Sequence, residues 1–247
     1  MNTQKSKNSR RCKRVTRRTR TRAIIPSSIP KCRVFLVDGH PVTREGLISI
    51  INREGNLEVC GAVGSTAEAI SAIQGSHPDI MITDMSIPGH NGIEFLKDIH
   101  ALVPALPILV LSMHDETFYA ERALRCGARG YLMKAASLEK LVEVMRLILS
   151  GGSFVSPQIS ARLVDAAIGR RPRGSNSPIE RLSDREFEVF QHIGNGKSTK
   201  EIAGTLHLSP KTVDVHRGRI KQKLQIRDAI SLLHHAVRWV ETQCPQG

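Results

Sequence analysis

Two aspartates, a serine and a lysine stand at or just beyond the ends of short apolar runs. Asp38 follows VFLV, Asp84 follows DIMIT, Ser112 closes PILVLS and Lys134 follows GYLM. Carboxylates brought to one place bind a hard dication such as Mg2+ through oxygen. One of them can also act as a nucleophile toward phosphorus, forming an acyl phosphate. A lysine ammonium beside them neutralises charge on the transferred phosphoryl group, and the Ser112 hydroxyl can bond one of its oxygens. A second group of residues suits a different chemistry. In the stretch 211–224, Lys211, Arg217, Arg219 and Lys221 project away from an apolar stripe of Val213, Ile220 and Leu224. Such a helix can enter the major groove, its long donors reaching phosphates and base edges. Lys197, Ser198, Thr199 and Lys200 open the segment before it, where the free backbone N–H groups of a helix start suit phosphate.

The elements that must position these residues follow from periodicity. Apolar runs at 34–37, 57–63, 79–83, 107–112 and 130–133 predict five buried strands. Amphipathic segments at 42–53, 66–74, 91–102, 116–126 and 137–150 alternate with them. Ser137 is the predicted N-cap of the last of these. Five βα repeats imply a doubly wound parallel α/β sheet with helices on both faces. Ligands then bind beyond the carboxyl ends of the strands, where the four residues named first would converge. Residues 151–179 read as a connection holding one amphipathic stretch (159–168) and the linker-like GRRPRGSNSP. From 180 to 243 a small all-α domain is predicted, with three helical segments across 182–224. Ser183 and Glu186 form a capping box, and Ser209-Pro210 starts the third helix.

Composition narrows the possibilities. The chain has 247 residues, a formal net charge of +13 and 40% hydrophobic residues. No stretch reaches the ~18 uncharged apolar residues of a membrane span. Five cysteines, odd in number and scattered without C-x-x-C, argue against a disulfide framework or a cysteine zinc site and fit a reducing cytoplasm. Charge is uneven: residues 1–33 hold twelve Lys/Arg and no acid, the middle of the chain is net acidic, and residues 169–247 are net basic. The tail 1–31 is expected to be disordered, either a solvated extension or a phosphate-binding arm blind to sequence. The run from Gly194 to Thr199 (GNGKST) imitates the end of a nucleotide-binding P-loop. Position 191 is Gln where that motif needs glycine, and a helix precedes the run where the motif needs a strand.

VFLVDGHPVTREGL, DIMITDMSIPGHNGIEFL, ILVLSMHD and GARGYLMKAAS resemble, in order, the receiver domain of two-component response regulators over about 32–150. The carboxy-terminal block resembles a LuxR-type helix-turn-helix, and the two together resemble the NarL/FixJ family. The resemblance implies a flavodoxin-like receiver with Asp84 as phosphoacceptor and Asp38, Asp84 and the Ser86 backbone carbonyl as Mg2+ ligands. It further implies Ser112 as the switch hydroxyl, Tyr131 as its aromatic partner and Lys134 as the phosphate-contacting lysine. Implied partners are a sensor histidine kinase, promoter DNA and a second copy of the chain on that DNA. Lys211, Thr212, Asp214, Val215 and Gly218 take the base-reading positions. Asp214 is read as an intrahelical partner of Arg217, a cytosine amino group being the alternative. His216 is read as a packing residue.

The family usually carries two adjacent acids after the first strand, whereas this chain reads Asp38-Gly39. The missing carboxylate is the one the family uses to ligate the metal directly, so Mg2+ binding and phosphorylation of Asp84 are expected to weaken. A receiver working without phosphorylation is the alternative. A more distant one, an aspartate-nucleophile phosphatase, needs a general acid two residues after Asp84, where Ser86 stands.

Overall fold

The computed structural model describes residues 1, 31–87, 91–169, 177–206 and 208–243. The basic tail (apart from Met1 and Lys31) and residues 170–176 of the connection lie outside the described residues. Strands β1 (Cys32–Val37), β2 (Leu57–Val63), β3 (Ile80–Thr83), β4 (Ile108–Ser112) and β5 (Gly130–Met133) alternate with helices α1 (Pro41–Arg53), α2 (Thr66–Ser76), α3 (Gly92–Leu102), α4 (Glu116–Arg125) and α5 (Leu138–Leu149). All the pairings are parallel and the order is β2-β1-β3-β4-β5. This is the doubly wound sheet predicted from the repeats.

Strand side chains alternate between two apolar layers, as a pleat requires. Val34, Leu36, Ile80, Ile82, Leu109, Leu111 and Leu132 pack on one face with Leu47 and Ile51 of α1 and Leu141, Met145 and Ile148 of α5. Phe35, Val37, Met81, Val110 and Tyr131 point to the other face, toward α2, α3 and α4. Parallel register then places the chemistry. Val37 pairs with Thr83 across β1 and β3, so the next residues, Asp38 and Asp84, emerge side by side. The Asp84 N–H donates to the Val37 carbonyl at 2.9 Å. On the far side Ser112 pairs with Met133, and the Lys134 N–H donates to the Ser112 carbonyl at 2.8 Å.

The amphipathic stretch expected at 159–168 is helix α6 (Pro157–Ala167), capped by Ser156, with Ile159 buried. Beyond a 3-10 turn at Pro178–Arg181 come α7 (Asp184–Gly194), α8 (Thr199–Thr205), α9 (Pro210–Leu224) and α10 (Ala229–Gln243). The expected capping box of Ser183 and Glu186 is present, and Ser198 with Glu201 forms a second. Helix α10 lies beyond the three segments drawn from the sequence. Its signal was available: Leu232, Ala236 and Trp239 repeat at helical spacing, and all three are buried. Gly194 lets α10 close on α7, since a Cβ there would lie 2.5 Å from the Ala236 carbonyl oxygen.

His192 of α7 lies partly buried, and among the described residues neither ring nitrogen has a hydrogen-bond partner. Burial, aided by Lys197 and Arg185, pushes its pKa down from 6.5 to about 4. The unfolded chain therefore holds the proton between these values, and stability falls as pH drops from about 6.5 toward 4. In His192→Leu, the urea midpoint is expected to depend less steeply on pH over that window, measured by circular dichroism.

Candidate functional site

The receiver pocket is built from three strand ends. Asp38 and Asp84 are only 2% and 3% exposed, so their charge needs a partner. Lys134 supplies it: Nζ donates to Asp38 Oδ2 at 2.7 Å and to Asp84 Oδ2 at 2.8 Å. The remaining oxygens are held by backbone. Asp84 Oδ1 accepts the Met85 N–H at 2.6 Å, and Asp38 Oδ1 accepts the His40 N–H at 2.8 Å. Arg44 Nη1 donates to the Asp38 carbonyl oxygen at 2.7 Å, fixing the turn into α1.

The sequence reading missed His40. As N-cap of α1, immediately before Pro41, it swings its ring over the pocket mouth. Its Nδ1 lies 3.2 Å from Asp38 Oδ1 and 3.8 Å from Asp84 Oδ2. Asp38, His40 and Asp84 offer ligand atoms within 4.8 Å of one another. A histidine two residues after Asp38 was the available signal, but only the turn geometry aims it inward.

Ser112 is fully buried and its Oγ accepts the His114 N–H at 3.2 Å. The Tyr131 hydroxyl donates to the His114 carbonyl at 2.8 Å, and burial pushes the phenol pKa far up, so it stays a donor. Ser86 is exposed, and its Oγ lies 2.7 Å from His114 Nε2. Burial lowers the His114 pKa. Thus Asp38, Asp84 and Lys134 come into direct contact, whereas Ser112, Tyr131 and Ser86 meet at the β4–α4 turn through His114.

From that turn aromatic contacts run into the carboxy-terminal domain. The His114 ring stacks on Tyr119 at 4.7 Å, Tyr119 meets Phe187 edge-on at 5.2 Å, and Phe187 meets Trp239 at 5.3 Å. Phe118 lies 5.5 Å from Trp239, and Gln191 Nε2 donates to the Tyr119 hydroxyl. Arg122 fastens this contact. It is buried over the Phe187 ring, with Nη1 on Asp184 at 2.9 Å and Nη2 on the Leu182 carbonyl at 2.8 Å. Arg185 reaches back to Glu94. The α4 side of the receiver therefore shares one apolar core with α7 and α10.

Helix α9 buries Val213, Ile220 and Leu224, the stripe expected from sequence. Lys211, Asp214, Val215, Gly218 and Arg219 are exposed, while Thr212, Arg217 and Lys221 are half-buried. One expectation is corrected: Arg217 Nη1 donates to Thr199 Oγ1 at 3.0 Å, tying α9 to α8, and among the described residues Asp214 forms no ion pair. The cross-helix hydroxyl lies within reach of the long guanidinium, so the intrahelical pair does not form. Ser198 caps α8 while Lys197, Thr199 and Lys200 flank it. His216 is half-buried on α9, its Nδ1 has no partner among the described residues, and burial lowers its pKa.

Two family descriptions match the chain: response regulator receiver domain over residues 34–146, and bacterial regulatory proteins, luxR family, over 180–236. The oxygen regulatory protein NreC of Staphylococcus carnosus is 32% identical over 210 residues, covering 83% of this chain and 97% of the relative. The transcriptional regulatory protein UhpA of Salmonella typhimurium is 34% identical over 201 residues, covering 81% and 95%. RcsB of Salmonella enterica serovar Typhimurium, solved bound to promoter P1flhDC, has a TM-score of 0.68. It covers 84% of this chain and 99% of its own at 24% identity, a likeness of fold. The chain belongs to the NarL/FixJ type of two-component response regulators, a receiver domain joined to a LuxR-type helix-turn-helix. It is a DNA-binding two-component response regulator, and the phosphatase alternative leaves the luxR-family domain unexplained. No described helix is long and apolar enough to cross a membrane.

Arg122→Ala removes two charge-assisted bonds and the stack on Phe187, a loss on the order of 2–4 kcal/mol to the interdomain contact. Trp239, the chain's sole tryptophan, reports it. Its emission is expected to shift to the red with the secondary structure intact.

Proposed function

We propose that this regulator binds promoter DNA as a homodimer through α9, under control of the receiver pocket, with Asp84 as phosphoacceptor and phosphorylation weakened by Gly39. The observation that carries the DNA reading is the division of α9. Its apolar stripe is buried in the bundle, while Lys211, Asp214, Val215, Gly218 and Arg219 face solvent together. In this reading Lys211, Thr212, Asp214, Val215 and Gly218 meet base edges. Arg219 and Lys221 reach phosphates, with Lys197, Ser198, Thr199 and Lys200 at the start of α8, and Arg217 braces the two helices. With Arg217 bonded to Thr199, Asp214 is left able to accept from a cytosine amino group.

The receiver reading rests on the buried Asp38–Lys134–Asp84 cluster. Asp84 Oδ2 would leave its Lys134 contact and attack the phosphorus of a phosphohistidine on a sensor kinase, the new O–P bond forming as the P–N bond breaks and the kinase imidazole leaves. Lys134 would follow a phosphoryl oxygen, and the Ser112 hydroxyl would leave the His114 N–H to do the same. Mg2+, when bound through Asp38, Asp84 and the Ser86 carbonyl, would supply positive charge to the phosphoryl oxygens. The residues fit that ion only in part, because both buried carboxylates already share Lys134 and Gly39 adds no third. The movement of the 112–114 turn would pass through His114 and Tyr119 to the α4 face on which α7 and α10 rest, biasing two arrangements of the DNA-binding domain.

With acetyl phosphate and Mg2+, mass spectrometry is expected to find less than one phosphoryl group per chain. The adduct should vanish in Asp84→Ala and increase in Gly39→Asp. Stoichiometric modification of the unaltered protein contradicts the weakened pocket.

Selection from random duplexes tests the DNA face: Arg219→Ala should weaken binding across all sequences, and Lys211→Ala should relax preference at one position. If the basic tail touches phosphates, deleting residues 2–30 lowers the slope of log affinity against log salt by about 0.9 for each phosphate the tail neutralises. An unchanged slope assigns the tail no such role.

A further inference from the structure

Asp184, Phe187, Glu188 and Gln191 recur at helical spacing on α7 and form its receiver-facing stripe. Three of them touch α4: Asp184 holds Arg122, Phe187 meets Tyr119 and Arg122, and Gln191 donates to the Tyr119 hydroxyl. Glu188 is the fourth, and its side chain is 2% exposed. Its partner is Arg185 of the same helix, whose Nη1 donates to Glu188 Oε2 at 2.8 Å. The same nitrogen donates to Glu94 Oε1, which α3 brings across the seam. One guanidinium nitrogen therefore serves two carboxylates, one from each domain.

Two carboxylates gathered on one cation hold their charges less readily than either would alone. Docking creates this crowding, since Glu94 arrives with the receiver as the α7 stripe loses its water. The other groups facing Glu188 leave it in place. Lys97 of α3 is half exposed and lies 3.7 Å from Asp184. Arg122 of α4 is occupied by Asp184 and the Leu182 carbonyl, and Arg185 Nη2 by the Leu206 carbonyl. Cys126, at the end of α4, is buried, and burial raises its pKa, so it adds no positive charge. Burial, with Glu94 adding to it and Arg185 opposing, pushes the Glu188 carboxyl up. We propose that docking of the receiver on the DNA-binding domain takes up one proton from solvent at the Glu94–Glu188 pair, so that mild acid tightens the seam. A carboxyl whose pKa is higher docked than undocked binds more proton in the docked form. The tightening is complete below the undocked pKa and is lost as pH rises through the docked one. It rests on the seam alone and holds whether or not Asp84 is phosphorylated.

The test uses the full-length chain carrying Arg122→Ala, whose weakened seam populates open molecules, and a Tyr119→Ala/Arg122→Ala variant weakened further. Small-angle X-ray scattering at about pH 7.5 and about pH 5 reads the docked fraction, and circular dichroism checks that the helices are intact. The ratio of docked to open molecules is expected to rise at least about threefold at the lower pH. Adding Glu188→Gln, which keeps the shape without the charge, should make the seam equally tight at both. Carbon NMR of the Glu188 carboxyl gives a second reading in the unaltered protein. Its midpoint should lie above the ordinary 4.5 and fall in Arg122→Ala. Loss of a nearby cation would by itself raise that midpoint, so a fall reports undocking. If both weakened variants stay closed, the midpoint in the unaltered protein decides alone. A docked fraction that is unchanged or lower in acid overturns the proposal. So does a pH response that survives Glu188→Gln, or a Glu188 midpoint at or below 4.5.

Discussion

One ammonium group between two buried carboxylates holds the receiver pocket together. Asp38 and Asp84 are drawn side by side by the β1–β3 register, and without Lys134 their charges would repel in a site nearly closed to water. Each of the three sits just beyond a strand end, so the cluster also pins the carboxyl edge of the sheet. The rest of the pocket is arranged around this contact: Met85 and His40 use the oxygens Lys134 leaves, and Ser112 waits at the next strand end with its hydroxyl engaged by its own loop.

The same edge leads directly to the second domain. The β4–α4 turn carries Ser112 at one end and His114 at its centre, and the His114 ring passes contact to Tyr119, Phe187 and Trp239. Polar bonds from Arg122 and Arg185 frame that aromatic stack. A chain whose two domains share a core at this place cannot move the turn without disturbing the packing of α7 and α10. The solvent-facing side of α9 points elsewhere and stays open, so the receiver touches the carboxy-terminal domain through α7, which packs on α9, and through α10.

Much of this was legible before any coordinates. Alternating apolar runs announced the five strands, and Ser137, Ser183 and Ser209 marked helix starts that are found where expected. The residues at strand ends named the pocket because a parallel sheet allows few other places for them. Three things were less legible. Helix α6 was read as an amphipathic island in a linker, since the polar, proline-rich run after it dominated the local composition. Helix α10 lies inside the predicted all-α domain (180–243) but beyond the three helical segments drawn up to Leu224. Arg217 was assigned to Asp214 by spacing along one helix, yet its guanidinium found Thr199 on the neighbouring one.

Periodicity and residue type thus determined the two folds, the acidic pocket and the apolar stripe of α9, because burial acts on each segment through its own repeat. Tertiary structure alone decided that His40 leans over the pocket, that His114 links three polar residues to an aromatic stack, and that Arg122 closes the seam between domains. These depend on where a turn aims a side chain and on which surfaces meet after folding, and neither is written in local spacing.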